Sequence, residues 1–170
     1  MKVRASSTPR LRLRKPIQAD GARLHAFVLD APLETNSRYA YLLLASHFRE
    51  TCLLAERAGE LVGFVAGYLV PGRTDTLFVW QVGVAPSARQ GGLGLAMLRA
   101  LLRRLEGAGV GCLEATVARG NRASMRLFEA LARALGTSCT RAGGFVAEDF
   151  GDEDHEEEVL IRVGPWESPR

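Results

Sequence analysis

A chain of 170 residues, 47% of them hydrophobic, has the length of one domain and enough apolar residues for a sizeable core. No run of 18 apolar residues occurs, which excludes a membrane-spanning helix, and the basic start MKVRASSTPRLRLRKP lacks the apolar stretch of a secretory signal. A net charge of +3 with 7% aromatic residues argues against a nucleic-acid surface, which interleaves basic and aromatic side chains on one face.

The charge is segregated. Lys2, Arg4, Arg10, Arg12, Arg14 and Lys15 precede the first acidic residue, and residues 148–158 hold eight carboxylates. Residues 1–9 read as a disordered basic tail, 10–164 as the domain, and 165–170, with Trp166, as a second tail. Cys52, Cys112 and Cys139 are odd in number, widely spaced and without a CxxC pair. That usage fits reduced thiols of the cytoplasm better than a disulfide framework. His25, His47 and His155 are scattered, so no metal is expected.

In chain order, the alternation of RLRLRKPI (10–17) predicts a strand, and Asp20 is placed to cap a helix to about Leu29. A loop, 31–37, leads to a helix over 39–48 with Asn36 or Ser37 as its cap. Residues 51–70 read as two strands about an Ala-Gly-Glu turn, 71–75 as a second turn, and 76–84 as a long strand buried on both faces. LAMLRALLRRLE (95–106) has helical spacing, with arginines opposite its apolar face. GAGVG (107–111) stops it. A strand over 112–119, a helix over 121–135 capped by Asn121, a loop, and a last strand over 155–163 complete the chain. Strands and helices are interspersed, so the expected architecture is an α+β sandwich of helices on a mixed sheet.

The segment VWQVGVAPSARQGGLG (79–94) places Gly91, Gly92 and Gly94 where a helix should begin. Glycine in a helix costs about 1 kcal/mol relative to alanine, so the bare backbone there has a use. The first amides of a helix have no internal partners and carry the positive end of its dipole. A strand, a turn and a glycine-led helix therefore make a seat for phosphate, to which Arg89 and Arg122 add charge. A Walker loop is excluded because no Lys-Ser/Thr follows, and the GxGxxG of a dinucleotide fold is absent. An ordinary glycine-softened loop remains as the plain alternative. The spacing of Arg89, Gly92 and Gly94 (Arg-x-x-Gly-x-Gly) resembles the acetyl-CoA loop of the GCN5-related N-acetyltransferase (GNAT) superfamily. So do the small apolar run Val82-Gly83-Val84 before it and Asn121, with Ser124 and Phe128, on the later helix. The resemblance implies a GNAT-type mixed, mostly antiparallel sheet flanked by helices on both faces. It also implies acetyl-CoA as cosubstrate, held by Val82, Gly83, Val84, Arg89, Gln90, Gly91, Gly92, Leu93, Gly94, Leu95, Asn121, Ser124 and Phe128.

Two stretches narrow the likeness. LETNSRYAYLLLASHF (33–48) and DTLFVWQVGV (75–84) resemble segments of the L-2,4-diaminobutyrate acetyltransferases of ectoine synthesis, and the similarity runs into His-Glu-Glu-Glu (155–158). The chain departs from that family's pattern at Glu34, where an Asp is usual. This resemblance implies acetylation of the 4-amino group of L-2,4-diaminobutyrate for later cyclisation to ectoine, a compatible solute, by a cytoplasmic homodimer. No membrane or nucleic-acid partner is expected.

A substrate with two ammonium groups and one carboxylate needs acceptors and donors. Glu34, Glu158 and the ring face of Trp80 are candidates for the ammonium groups, and Asn36, Ser37 and Tyr39 for the carboxylate. For Asn36 the alternative is plain helix capping, and for Tyr39 core or dimer packing. An acidic rim at 148–158 would steer a cation inward. An alkyl ammonium of pKa about 10 must lose a proton before attack. Glu158 and His155 lead as bases, with Glu114 behind them. His155 and Glu158, three apart, point to opposite faces in an ideal strand, so the strand boundary or one of the two must yield. A backbone N–H near Val82 is placed to polarise the thioester carbonyl if the strand bulges there and splays from 112–119. Many superfamily members carry a tyrosine acid seven residues after the Asn. Here that position is Phe128, leaving Tyr41 or water to protonate the thiolate. Acetylation of another amine, or coenzyme binding without catalysis, are the competing readings.

Overall fold

A computed structural model of the chain describes residues 9–31, 33–89, 91–151 and 155–167. The order of the basic tail, the part assigned to Gln90 and the middle of the acidic run fall outside the described residues.

Among the described residues seven strands form one sheet: β1 (Leu11–Arg14), β2 (Leu53–Arg57), β3 (Glu60–Val70), β4 (Arg73–Val84), β5 (Cys112–Ala118), β6 (Cys139–Phe145) and β7 (Glu158–Val163), in the order β1-β2-β3-β4-β5-β7-β6. Every pairing is antiparallel except β4 with β5. The helices are α1 (Asp20–Leu29), α2 (Arg38–Ser46), α3 (Leu93–Arg104) and α4 (Arg122–Leu135).

The strands sort their side chains by alternation, because successive residues face opposite sides of a sheet. Leu53, Ala55, Val62, Val65, Leu77 and Val79 join α3 and α4 in the larger core, with Leu98, Leu101, Phe128 and Leu131. Leu54, Phe64 and Ala66 face the other way, onto Leu24 and Val28 of α1 and Tyr41 and Leu44 of α2. Helices thus cover both faces of the sheet.

The boundaries differ from the sequence-based expectation in informative places. Asp20 does not cap α1. Its buried carboxylate takes Arg14, Arg23 and the Ile17 N–H instead, and no side chain caps that helix. Ser37, not Asn36, caps α2 by accepting from the Ala40 N–H. Helix α3 starts at Leu93, so Gly94 lies inside it. Strand β7 starts at Glu158 and leaves His155 in the preceding loop. The expected loop after α4 contains an edge strand, β6, whose register shifts between Arg141 and Gly144. Trp166, expected in a tail, packs against the larger core and donates its backbone N–H to Gly111.

Candidate active site

The middle of the sheet opens. β4 and β5 pair only through Thr76↔Cys112, Leu77↔Leu113 and Phe78↔Glu114, and the ladder ends there. β4 stays paired with β3, but Ala66 faces Gln81 while Gly67 faces Val79. Trp80 is therefore the extra residue of a β-bulge. The bulge was expected near Val82 and lies two residues earlier. It accounts for the spacing of Leu77, Val79, Val82 and Val84, which all touch the larger core although the step from 79 to 82 is odd. It leaves Trp80 exposed.

The split between the strands is a cleft of about 220 Å³. Glu34, Trp80, Gln81 and Val82 line it from one side, Thr116, Ala118 and Glu158 from the other, and Asn121, Ser124 and Phe128 at the start of α4. Seven of the expected site residues therefore meet: Glu34, Trp80, Val82, Asn121, Ser124, Phe128 and Glu158. Asn121 caps α4 by accepting from the Ser124 N–H, and Phe128 is buried. A larger open groove of about 450 Å³ lies at the β6–β7 edge, but its two arginines, Arg119 and Arg141, are paired with Glu157 and Glu129.

At the end of β4, a single turn carries the chain to the glycines. Gly92 has φ +69°, a left-handed conformation that side chains rarely adopt, and sits at the N-cap of α3 without a side-chain cap. The first bond of that helix runs from the Ala96 N–H to the Gly92 carbonyl, so the amides of Leu93, Gly94 and Leu95 stand outside its ladder. Gly83, earlier in β4, is buried under Phe64 and Phe27, where a Cβ would collide with both rings. Arg89 folds back to donate its Nε–H to the Val84 carbonyl. Gly91 is exposed beside it.

A model of the acetyltransferase (GNAT) family matches residues 22–132. An L-2,4-diaminobutyric acid acetyltransferase of Bordetella parapertussis is 45% identical over 166 residues, covering 96% of this chain and 89% of that protein. The chain belongs to the diaminobutyrate acetyltransferase family. Another member, from Shouchella clausii, is 40% identical over 95% of this chain and 90% of its own. A diaminobutyrate acetyltransferase of Paenibacillus lautus, solved with L-2,4-diaminobutyric acid and coenzyme A, superposes with a TM-score of 0.89 at 38% identity. That match covers 95% of this chain and 99% of that one.

The remaining candidates lie on α2, at the mouth of the cleft and in the core. Tyr39 is 68% exposed on α2, which corrects the alternative of core packing, and Asn36 and Ser37 precede that helix outside the cleft lining. His155 stacks on Phe150 with ring centres 3.8 Å apart, and its Nε2 lies 3.4 Å from the exposed Glu34 carboxylate. It bridges the mouth rather than lining the interior. Glu114 is overturned as a base: it is buried, and Arg73 and Arg162 bond both its oxygens. The Arg73 contact, foremost, lowers its pKa and keeps it ionised and occupied. Tyr41 is likewise displaced as an acid, because it is fully buried and its hydroxyl donates to Gln81 Oε1. Gln81 lies within the DTLFVWQVGV stretch, but the sequence gives it no role, because an amide is not basic and its partners are far away in the chain.

Proposed function

We propose that this chain transfers the acetyl group of acetyl-CoA to the 4-amino group of L-2,4-diaminobutyrate, giving N4-acetyl-L-2,4-diaminobutyrate. One observation carries the reading: the sheet splits after Phe78 into a pocket holding Trp80, Glu34 and Glu158, and β4, which walls that pocket, runs on through one turn to the open amides of α3. A phosphate-binding helix end, a slot for an extended arm and an acidic acceptor pocket are what this transfer needs.

In this reading the amides of Leu93, Gly94 and Leu95 and the glycine turn hold the diphosphate, and Asn121 and Ser124 face the pantetheine arm. Glu158, at the mouth end of β7, accepts the proton of the acceptor ammonium directly or through one water. The freed amine attacks the thioester carbonyl, whose oxygen takes a hydrogen bond from the backbone N–H of Val82. The new C–N bond forms, the C–S bond breaks, and CoA leaves as thiolate. Phe128 has no proton to give, so the second proton of the attacking nitrogen, shed as the adduct collapses, reaches the sulfur through water. Trp80 offers its ring to an ammonium group, an interaction worth roughly 0.5–2 kcal/mol. Glu34 and His155 shape the entrance, and Asn36, Ser37 and Tyr39 lie on the side from which the substrate carboxylate enters. The reading places residues 10–164 as the catalytic domain of a cytoplasmic homodimer whose product feeds the making of ectoine, a compatible solute.

The test is free-thiol release from acetyl-CoA with diaminobutyrate, a polyamine, an aminoglycoside and a lysine peptide supplied in turn. Rapid release with diaminobutyrate and little with the others is expected. Preference for another amine, or tight CoA binding without release, overturns the proposal.

A further inference from the structure

Leu33 and Glu34, which line the cleft, belong to a loop, 33–37, that lacks regular structure yet is tied down at Glu34 and Asn36. Gln81 Nε2 donates to the Glu34 carbonyl at 2.7 Å, and Gln81 Oε1 accepts from the Tyr41 hydroxyl at 3.1 Å. The same hydroxyl accepts from the Asn36 N–H at 3.4 Å. The amide has one orientation that serves both neighbours. Turned over, its oxygen would face the Glu34 carbonyl with no hydrogen between them. Tyr41 is fully buried in the core under α2, so the anchor of this relay is rigid. The bulge at Trp80 sets Gln81 on the α1–α2 face while Val79 and Val82 keep to the other.

We infer that Gln81 is a positioning residue: with Tyr41 it locks loop 33–37 over the cleft and so sets the acceptor-binding wall, without touching the reacting atoms. This rests on the function proposed above. It has a consequence for specificity. The relay runs through the backbone of Glu34, so the carboxylate's position is set by β4, the same strand that carries Trp80 and the acyl-binding edge. Displacement of the loop should weaken the acceptor and leave the coenzyme alone, because Leu33 and Glu34 line the cleft and the amides of α3 do not.

Two variants of nearly equal shape test it. Gln81→Met removes both bonds, and Tyr41→Phe removes the hydroxyl that joins Gln81 to Asn36. Backbone hydrogen exchange is measured at residues 33–37 without any ligand, and the KM values for diaminobutyrate and acetyl-CoA are measured separately. Both variants should speed exchange at Asn36 by tenfold or more. Both should also raise the diaminobutyrate KM by tenfold or more, with the acetyl-CoA KM within about twofold of the wild type. In the double variant the losses should not add, since the two residues act as one unit. Unchanged exchange at Asn36 in both variants refutes the lock. Faster exchange with an unchanged diaminobutyrate KM, or an equal rise in both KM values, refutes the positioning role. Should the wild type ignore diaminobutyrate altogether, the proposed function fails, and the exchange measurement still decides the lock on its own.

Discussion

Glu158 and His155 were indistinguishable as bases in the sequence, and three residues apart they belonged on opposite faces of a strand. The strand begins at Glu158, which frees His155 to swing onto Phe150 at the mouth and leaves Glu158 in the cleft. Glu158→Gln should therefore cut kcat by at least ~10-fold with the acetyl-CoA KM unmoved, as loss of a general base does. His155→Ala should act mainly on the diaminobutyrate KM. Steady-state kinetics on both variants checks the division, and a larger kcat loss at His155 would reverse the assignment. Trp80 and Glu34 were legible as candidates because their chemistry suits ammonium groups, and both line the cleft. Glu114 was misread because the arginines that occupy it lie 41 and 48 residues away in the chain. A sequence reveals a carboxylate but not who holds it.

At the scale of elements, the helices and the central strands were readable because period and burial agree. Leu93–Arg104 keeps Leu93, Met97, Leu98, Leu101 and Leu102 on one buried face, and Arg103 and Arg104 fall in its last turn. β6 was not readable: CTRAGGF has two glycines, no alternation and an exposed edge. The bulge at Trp80 was anticipated in kind but misplaced, since nothing in the spacing of apolar residues marks which residue of a buried strand is extra. The α3 N-terminus gives the sharpest prediction at this scale. A Cβ added at Gly92 meets no neighbour, so a side chain there is strained first by its φ of +69°. Gly92→Val should cost about 1–3 kcal/mol in stability and raise the acetyl-CoA KM by at least ~10-fold, while the diaminobutyrate KM changes little. Thermal unfolding and kinetics together check it, and an unaltered acetyl-CoA KM would remove the diphosphate from this helix end.

The whole molecule is held at its β1 edge by a buried ionic cluster remote from the cleft. Arg14 bonds both Asp20 and Glu56, and Arg23 joins the same two carboxylates, so α1 is pinned to β1 and β2. The Arg14 hydrogen bonds lower the pKa of Asp20 to about 2 and that of Glu56 to about 2. Both folded values lie below the ordinary carboxylate range near ~4. The stabilisation is thus complete above that range and is lost as pH falls through it toward about 2. Arg14→Met, which leaves two buried carboxylates with Arg23 alone, should lose at most about 3–5 kcal/mol at pH 7, and its deficit should shrink below pH ~4 as they take up protons. Denaturant melts of both proteins from pH 7 to pH 3 test this, and a deficit independent of pH would contradict it. The thiols make a second global prediction. Cys52 and Cys112 are buried, and burial pushes Cys52 up to about 11 and raises Cys139. The native protein should react slowly with a disulfide reagent at pH 7.5, and all three thiols should react once it is unfolded.

A crystal grown with coenzyme A and diaminobutyrate tests the central claim most directly. The diphosphate should lie on the amides of residues 93–95, the sulfur should reach Trp80 through the split between β4 and β5, and the 4-amino group should stand about 2.6–3.2 Å from Glu158 or from a water bound to it. A nucleotide seated elsewhere, or an acceptor amine turned away from Glu158, would contradict the account.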